Sequence, residues 1–172
     1  MRKTAIVFLA LMGLLVAACG SSSDEEASDP WGLDAVTEPT SQEEINVIFL
    51  AMPDEIDGMT AYRDDPDHVG YVEYTGEDSD AMVAWDDLGS DRTTTIEQLE
   101  WIAAKDVFTE RARSMDSDSV TVWLHGTVDT GVVERQMLWW GDPSDGWLFR
   151  FDADNTEHLD ALVAEFISAS TE

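Results

Sequence analysis

The chain has a single cysteine and very little positive charge. Cys19 has no partner for a disulfide within the chain, so the folded part must be held together by its hydrophobic core. Nine Lys and Arg residues stand against 37 Asp and Glu residues, which gives a formal net charge of −28. A field of that sign repels nucleic acid and anionic lipid headgroups. We therefore predict that nucleic acid is not a partner.

Sequence motifs for phosphate binding and nucleophilic catalysis are also missing. No Gly-x-Gly-x-x-Gly or Gly-x-x-x-x-Gly-Lys pattern precedes a helix, and there is no Gly-x-Ser-x-Gly elbow. His68, His125 and His158 are scattered over a loop, a strand and a helix start, which favours structural roles. We predict no cofactor and no enzymatic activity. A hydrolase that uses a pair of the many acidic residues is the remaining enzymatic alternative.

A short apolar segment lies at the N-terminus. Arg2 and Lys3 precede an apolar run of about 14 residues over 5–18, and this run ends at Cys19. The run is shorter than the ~20 residues of a membrane-spanning helix, and its basic start is typical of a secretory signal peptide. Residues 16–19, Val-Ala-Ala-Cys, resemble the lipobox of bacterial lipoprotein precursors.

The lipobox resemblance implies a lipid anchor. Residues 1–18 would be removed, and Cys19 would carry a diacylglycerol thioether as the new N-terminus, so that palmitate labels the protein. The protein would then sit on the outer face of the bacterial cytoplasmic membrane. An ordinary secretory signal peptide followed by a chance cysteine is the alternative. The mature chain would keep seven basic residues against 37 acidic ones, a net charge of about −30.

Residues 19–40 are acidic and polar, and they lack an apolar period, which predicts a disordered tether. Residues 41–172 carry the pattern of a single α+β domain. Capping boxes at Ser41 and Thr94 predict helices over 42–52 and 94–114, although 45–50 also fits a strand. A third helix is predicted to follow Asp154 as its N-cap residue.

Apolar alternation predicts strands near 69–74, 81–85, 120–128, 132–140 and 147–152, with a further short candidate at Tyr62 and Arg63. The implied fold is an antiparallel sheet of about five strands with helices packed on it, in the order α-β-β-β-α-β-β-β-α. This element order is similar to that of PsbP/Mog1-type domains of small bacterial lipoproteins. The similarity concerns the order alone and implies a fold rather than a function.

Aromatic residues on the strands form one candidate site. Trp123, Trp139, Trp140 and Arg150 would make a ligand patch if no helix covered the second face of the sheet. If a helix covers that face, these indoles belong to the core, and the pattern favours this second interpretation.

Acidic residues before the last helix form a second candidate site. Asp152 and Asp154 match the first ligand positions of a calcium loop, but Glu157 stands where that loop requires Gly and Val163 where it requires Glu. Asp152, Asp154 and Glu157 therefore favour a helix start over a metal site. We predict no metal site. Weak Ca²⁺ binding by these carboxylates is the alternative to test.

These observations favour a lipid-anchored, non-enzymatic binding or accessory module outside the cytoplasm, with a protein or a small ligand as its partner. A small-ligand carrier that uses the sheet aromatics is the alternative.

Overall fold

The computed structural model describes residues 29–37, 39, 41–63, 69–86, 94–143 and 148–171. These residues form three α-helices and one antiparallel sheet of eight strands. Within these ranges, no helix has both the length and the apolar character needed to cross a bilayer. The predicted signal peptide, Cys19 and the first part of the predicted tether lie outside the described residues.

The elements alternate between single helices and groups of four strands. Their bounds are α1 Gln42–Ala51, β1 Glu55–Ile56, β2 Met59–Arg63, β3 Tyr71–Thr75, β4 Asp80–Asp86, α2 Thr95–Ala103, β5 Phe108–Ser114, β6 Val122–Asp129, β7 Glu134–Gly141, β8 Leu148–Ala153 and α3 Thr156–Ser170. The strand order across the sheet is β1-β2-β3-β4-β8-β7-β6-β5. The predicted α+β class with an antiparallel sheet is confirmed, whereas the predicted number of about five strands is wrong.

Local capping chemistry sets the helix starts. Ser41 Oγ accepts a hydrogen bond from Glu44 N at 3.3 Å, and Thr94 Oγ1 accepts one from Glu97 N at 3.2 Å, as the capping boxes predicted. The third helix differs from the prediction because its N-cap is Asn155 rather than Asp154. Placing Asn155 at this position leaves the Asp154 carboxylate available for another partner.

The second predicted helix is too long. α2 ends at Ala103, and residues 108–114, which were predicted to be helical, form the edge strand β5. Val107 illustrates the reason, since it would lie on the apolar stripe of a longer helix together with Leu99 and Ala103, but it is 54% exposed. The ring of Phe108 instead packs on Gly126 of β6, where a Cβ atom would lie only 2.3 Å from it. Pairing and packing on β6 therefore override the local helical pattern.

Two hydrophobic cores lie on opposite faces of the sheet. The larger one joins α1 and α3 to β3, β4, β8, β7 and β6, and its largest fully buried side chains include Trp140, Phe149, Phe151 and Phe166. The smaller one lies between α2 and strands β5–β8, and its members include Leu99, Ile102, Phe108, Leu124 and Trp139. Helices therefore cover the first face broadly and only one end of the second face.

Residues 29–36, which we name the strap, pack on the edge of the larger core. Leu33 is fully buried, and Val36 is 4% exposed. The Trp31 ring makes edge contacts with Trp123 and His125, at centroid distances of 5.8 and 5.0 Å. The prediction that residues 19–40 form a disordered tether is wrong for the strap, because apolar burial anchors it to the domain.

Candidate functional site

The four residues of the predicted ligand patch are divided between the two faces of the sheet. Trp123 lies opposite Trp140 on the face that α3 covers, whereas Trp139 lies opposite Arg150 on the other face. Trp123, Trp139 and Trp140 are only 2%, 4% and 0% exposed. All three indoles are therefore core residues, and they do not form an exposed patch with Arg150.

Trp139 occupies the end of the second face that α2 covers. Its ring meets the edge of Phe108 at a centroid distance of 5.6 Å, and Leu99 and Ile102 of α2 belong to the same cluster. Among the described residues, the buried Nε1 groups of Trp139 and Trp140 have no hydrogen-bond acceptor. These two indoles therefore contribute to the hydrophobic cores through packing, and their Nε1 groups are not placed to bind a ligand.

Beyond the reach of α2, the second face presents two rows of side chains across neighbouring strands. One row runs from Tyr71 through Ala84 to Arg150, and the other runs from Tyr62 through Glu73 and Met82 to Asp152. We name Tyr62, Tyr71, Glu73, Met82, Ala84 and Arg150 the open face, since neither helix-covered core of the described residues includes them. Ala84 is only 6% exposed, and Tyr71, Glu73, Met82 and Arg150 are half-buried. Tyr62 is 55% exposed, and its ring centroid lies 6.4 Å from that of Tyr71.

An ion cluster borders the open face. Arg135 Nη1 lies 2.6 Å from Asp80 Oδ2, and its Nη2 lies 2.7 Å from Asp152 Oδ1. Burial lowers the pKa of Arg135, but the hydrogen bonds and charges of Asp152 and Asp80 outweigh burial and raise it on balance. The Asp152 carboxylate is therefore already held by a cation, and the cluster fixes the ends of β4, β7 and β8.

The three predicted metal-binding candidates have separate environments. Asp152 binds Arg135, Asp154 Oδ1 lies 2.6 Å from His158 Nδ1, and Glu157 is exposed in the first turn of α3. Among the residues that the structure describes, no group of three or more metal-ligating side chains comes together. Asp152 and Asp154 thus each contact a basic side chain, and Glu157 lies in the first helical turn, where a negative charge is favourable.

Two of the three histidines lie in the described ranges, and His68 lies outside them. His158 belongs to the start of α3, where its backbone N–H donates to Asn155 Oδ1 at 2.9 Å. His125 lies under the strap, and its buried Nε2 has no partner among the described residues. Burial lowers the pKa of His125, Asp160 raises it, and Arg111 lowers it further, so that the net shift is downward.

Most residues of the open face were not identified from the sequence. Tyr62, Tyr71, Glu73 and Met82 lie on three strands, and their contact depends on the pairing of Glu73 with Met82 and with Tyr62. Alternation along a strand indicates which residues share a face, but it does not indicate which strands are neighbours. Only Arg150 among these residues was part of the predicted patch.

Comparison with known proteins adds no family. No protein-family model matches the chain, and no curated protein matches it significantly. The function must therefore be inferred from the residues themselves.

Proposed function

We propose that the protein is a lipid-anchored, non-enzymatic binding module on the outer face of the bacterial cytoplasmic membrane, and that its open face binds a protein partner. The observation that carries the proposal is the partial cover of the second sheet face. α2 covers one end of that face, and a surface with two tyrosines, a methionine and an arginine remains beside it. Tyr, Met and Arg are enriched in protein interfaces, which favours a protein over a small ligand.

The small-ligand carrier is less well supported, because that hypothesis requires aromatic side chains of the sheet to line an accessible cleft. Trp123, Trp139 and Trp140 are buried in the two cores instead. The open face extends over four neighbouring strands, β2-β3-β4-β8, that are ~4.8 Å apart, so it is roughly 14 Å wide. A broad, mixed surface fits a macromolecular partner better than it fits a small molecule.

The hydrolase alternative needs an activated pair of carboxylates. The Asp152 carboxylate is bound by Arg135, and the Asp154 carboxylate contacts His158. Both acids are engaged in contacts that stabilise the ends of secondary structure elements. This arrangement supports the non-enzymatic interpretation.

The lipid anchor is supported by the lipobox resemblance at residues 16–19. Nine residues, 20–28, separate Cys19 from the strap, which begins at Asp29. The ten Cα–Cα steps from Cys19 to Asp29 span at most roughly 35 Å when fully extended. The domain would therefore lie close to the membrane surface, at a distance that suits a partner in or on the same membrane.

The anchor is tested by expression of the full chain in a bacterium with radiolabelled palmitate. We expect palmitate incorporation and membrane partition, and we expect Cys19→Ala to abolish both. Labelling that persists in Cys19→Ala would rule out the lipobox interpretation.

The open face is tested with a photo-crosslinking amino acid in the cells of origin. We expect a discrete protein adduct when it replaces Tyr62, and none when it replaces Val47, which is 64% exposed on α1. Glu73→Lys, at the centre of the open face, should remove the adduct while leaving the melting temperature nearly unchanged. Equal crosslinking at both positions, or an adduct insensitive to Glu73→Lys, would contradict the proposal.

A further inference from the structure

Among the described residues, the exposed positive charge is confined to one edge of the sheet. Three of the described basic residues, Arg63, Arg135 and Arg150, are half-buried. The other three, Lys105, Arg111 and Arg113, are exposed, and all lie within a nine-residue stretch that leads into and along β5. We name these three residues the basic edge.

The basic edge is a local exception to the charge of the chain. The stretch from Lys105 to Arg113 contains two acidic residues, Asp106 and Glu110, and therefore has a net charge of +1. Glu110 Oε1 lies 3.3 Å from Arg113 Nε. The whole chain carries −28. An anionic membrane surface repels a strongly negative protein, except where the protein carries basic residues. The repulsion acts over about one Debye length, ~8 Å at physiological ionic strength.

The strap brings the N-terminal end of the described chain to the same side. Trp31 contacts His125, and His125 pairs with Ala112 of β5. Arg111 is close enough to His125 to lower its pKa, after the larger effect of burial and the opposing effect of Asp160. Trp31, near the start of the described chain, therefore lies beside the basic edge.

Apolar side chains are exposed at one end of this edge. Trp101, Val107, Val132 and Val133 are 37%, 54%, 89% and 53% exposed. Lys105 Nζ lies 3.5 Å from the centroid of the Trp101 ring, and Val107 O accepts a hydrogen bond from Asp129 N at the start of the turn that holds the two valines. Tryptophan and lysine beside apolar side chains are typical of membrane–water interfaces.

We propose that the basic edge, with these apolar side chains, faces the membrane and contacts anionic lipid headgroups. This inference rests on the proposed lipid anchor, which supplies the affinity, whereas the basic edge supplies the orientation. β5 is the last strand of the sheet, and among the described residues no strand pairs with its outer side. The open face on β2–β4 and β8 would then point away from the lipid and remain accessible to a partner.

The test measures orientation on vesicles that contain phosphatidylglycerol. The mature chain, residues 19–172, is coupled through its single thiol at Cys19 to a maleimide lipid, so the result does not depend on lipidation in cells. A donor dye is placed through a non-natural amino acid at Thr109 on β5 or at Thr60 on β2, both of which are exposed. These strands are six intervals apart in the sheet, or roughly 29 Å.

We expect stronger energy transfer to an acceptor lipid from position 109 than from position 60. The triple variant Lys105→Gln, Arg111→Gln and Arg113→Gln should remove the difference, and so should high salt. The matched control Asp106→Asn with Glu110→Gln should increase the difference. Equal transfer from the two positions, or a difference that the triple variant leaves intact, would overturn the inference. Loss of palmitate labelling in cells would count against the anchor alone.

Discussion

The indole Nε1 of Trp31 donates a hydrogen bond to Asp160 Oδ1 at 2.9 Å, across 129 positions of sequence. The contact joins the strap to α3. A second link, from Thr121 Oγ1 to Asp34 Oδ1 at 2.8 Å, joins the same segment to the residue that precedes β6. The strap is therefore part of the folded domain, and a force applied to it would be transmitted to the hydrophobic core.

Substitution of Trp31 tests this connection. Trp31 is half-buried against Trp123 and His125, so Trp31→Ala should lower the free energy of unfolding by roughly 2 kcal/mol, below the ~3–5 kcal/mol of a fully buried aromatic residue. Asp160→Asn keeps a hydrogen-bond acceptor and should cost less than about 1 kcal/mol. Both values come from urea denaturation. A Trp31→Ala protein as stable as the wild type would show that the strap adds nothing to the fold.

A pair of glycine substitutions tests the packing of β5 on β6. A Cβ atom at Gly126 would lie 2.3 Å from the Phe108 ring and 2.5 Å from Thr109 O, and the second of these is backbone. Gly126→Ala should therefore destabilise the protein by about 1–3 kcal/mol, as overpacking does. Gly70→Ala is the control, since nothing lies within 4 Å of its Cβ position. Thermal denaturation of the two variants distinguishes a local clash from a general glycine effect.

Local signals in the sequence predicted the starts of α1 and α2 well. Ser41 and Thr94 form caps with the residues three positions on, because these hydrogen bonds need only neighbouring residues. The end of α2 was mispredicted because Val107 fits a helical stripe, while the packing of Phe108 on Gly126 depends on pairing with the next strand, β6. The strap was missed for a similar reason. Leu33 and Val36 lie in a polar segment of the sequence, and they are buried only by contacts with residues distant in the sequence.

The short strand β1 shows another limit of sequence patterns. Two residues, Glu55 and Ile56, are too few to display alternation, although Asp57 and Gly58 between β1 and β2 are typical hairpin residues. Both have positive φ angles, 48° and 80°, as a type I′ turn requires. The open face was beyond prediction because the pairing of β4 with β8 brings together residues that are about 70 positions apart.

The closing helix should be indispensable to the fold. Phe166 is fully buried, and its ring lies 4.9 Å from that of Phe149 and 5.1 Å from that of Phe151. Phe166→Ala should cost roughly 3–5 kcal/mol, a large part of the ~5–15 kcal/mol that stabilises a typical domain. Val47→Ala, at an exposed position of α1, should stay within about 0.5 kcal/mol. A loss below ~1 kcal/mol for Phe166→Ala would indicate a detachable helix.

His125 makes the stability of the domain depend on pH. Its pKa in the folded protein is lowered from the ordinary value of 6.5, chiefly by burial, with Asp160 opposing and Arg111 adding to the shift. Between the lowered pKa and 6.5 the unfolded chain binds more protons than the folded chain does. Stability therefore rises with pH across this window. The contribution of neutral His125 is present above pH 6.5 and is lost as the pH falls through 6.5 towards the folded pKa.

His125→Gln removes this titration and keeps a polar side chain of similar length. We expect the stability of the wild type relative to His125→Gln to fall as the pH is lowered from about 8 to about 5, because only the wild type must then hold a neutral histidine under Trp31. The carboxylates and the other two histidines are common to both proteins, so their titration cancels in the difference. Urea unfolding at several pH values measures that difference. A difference that stays constant across the range would mean that the His125 imidazole is already solvated in the folded protein, and that the strap does not bury it.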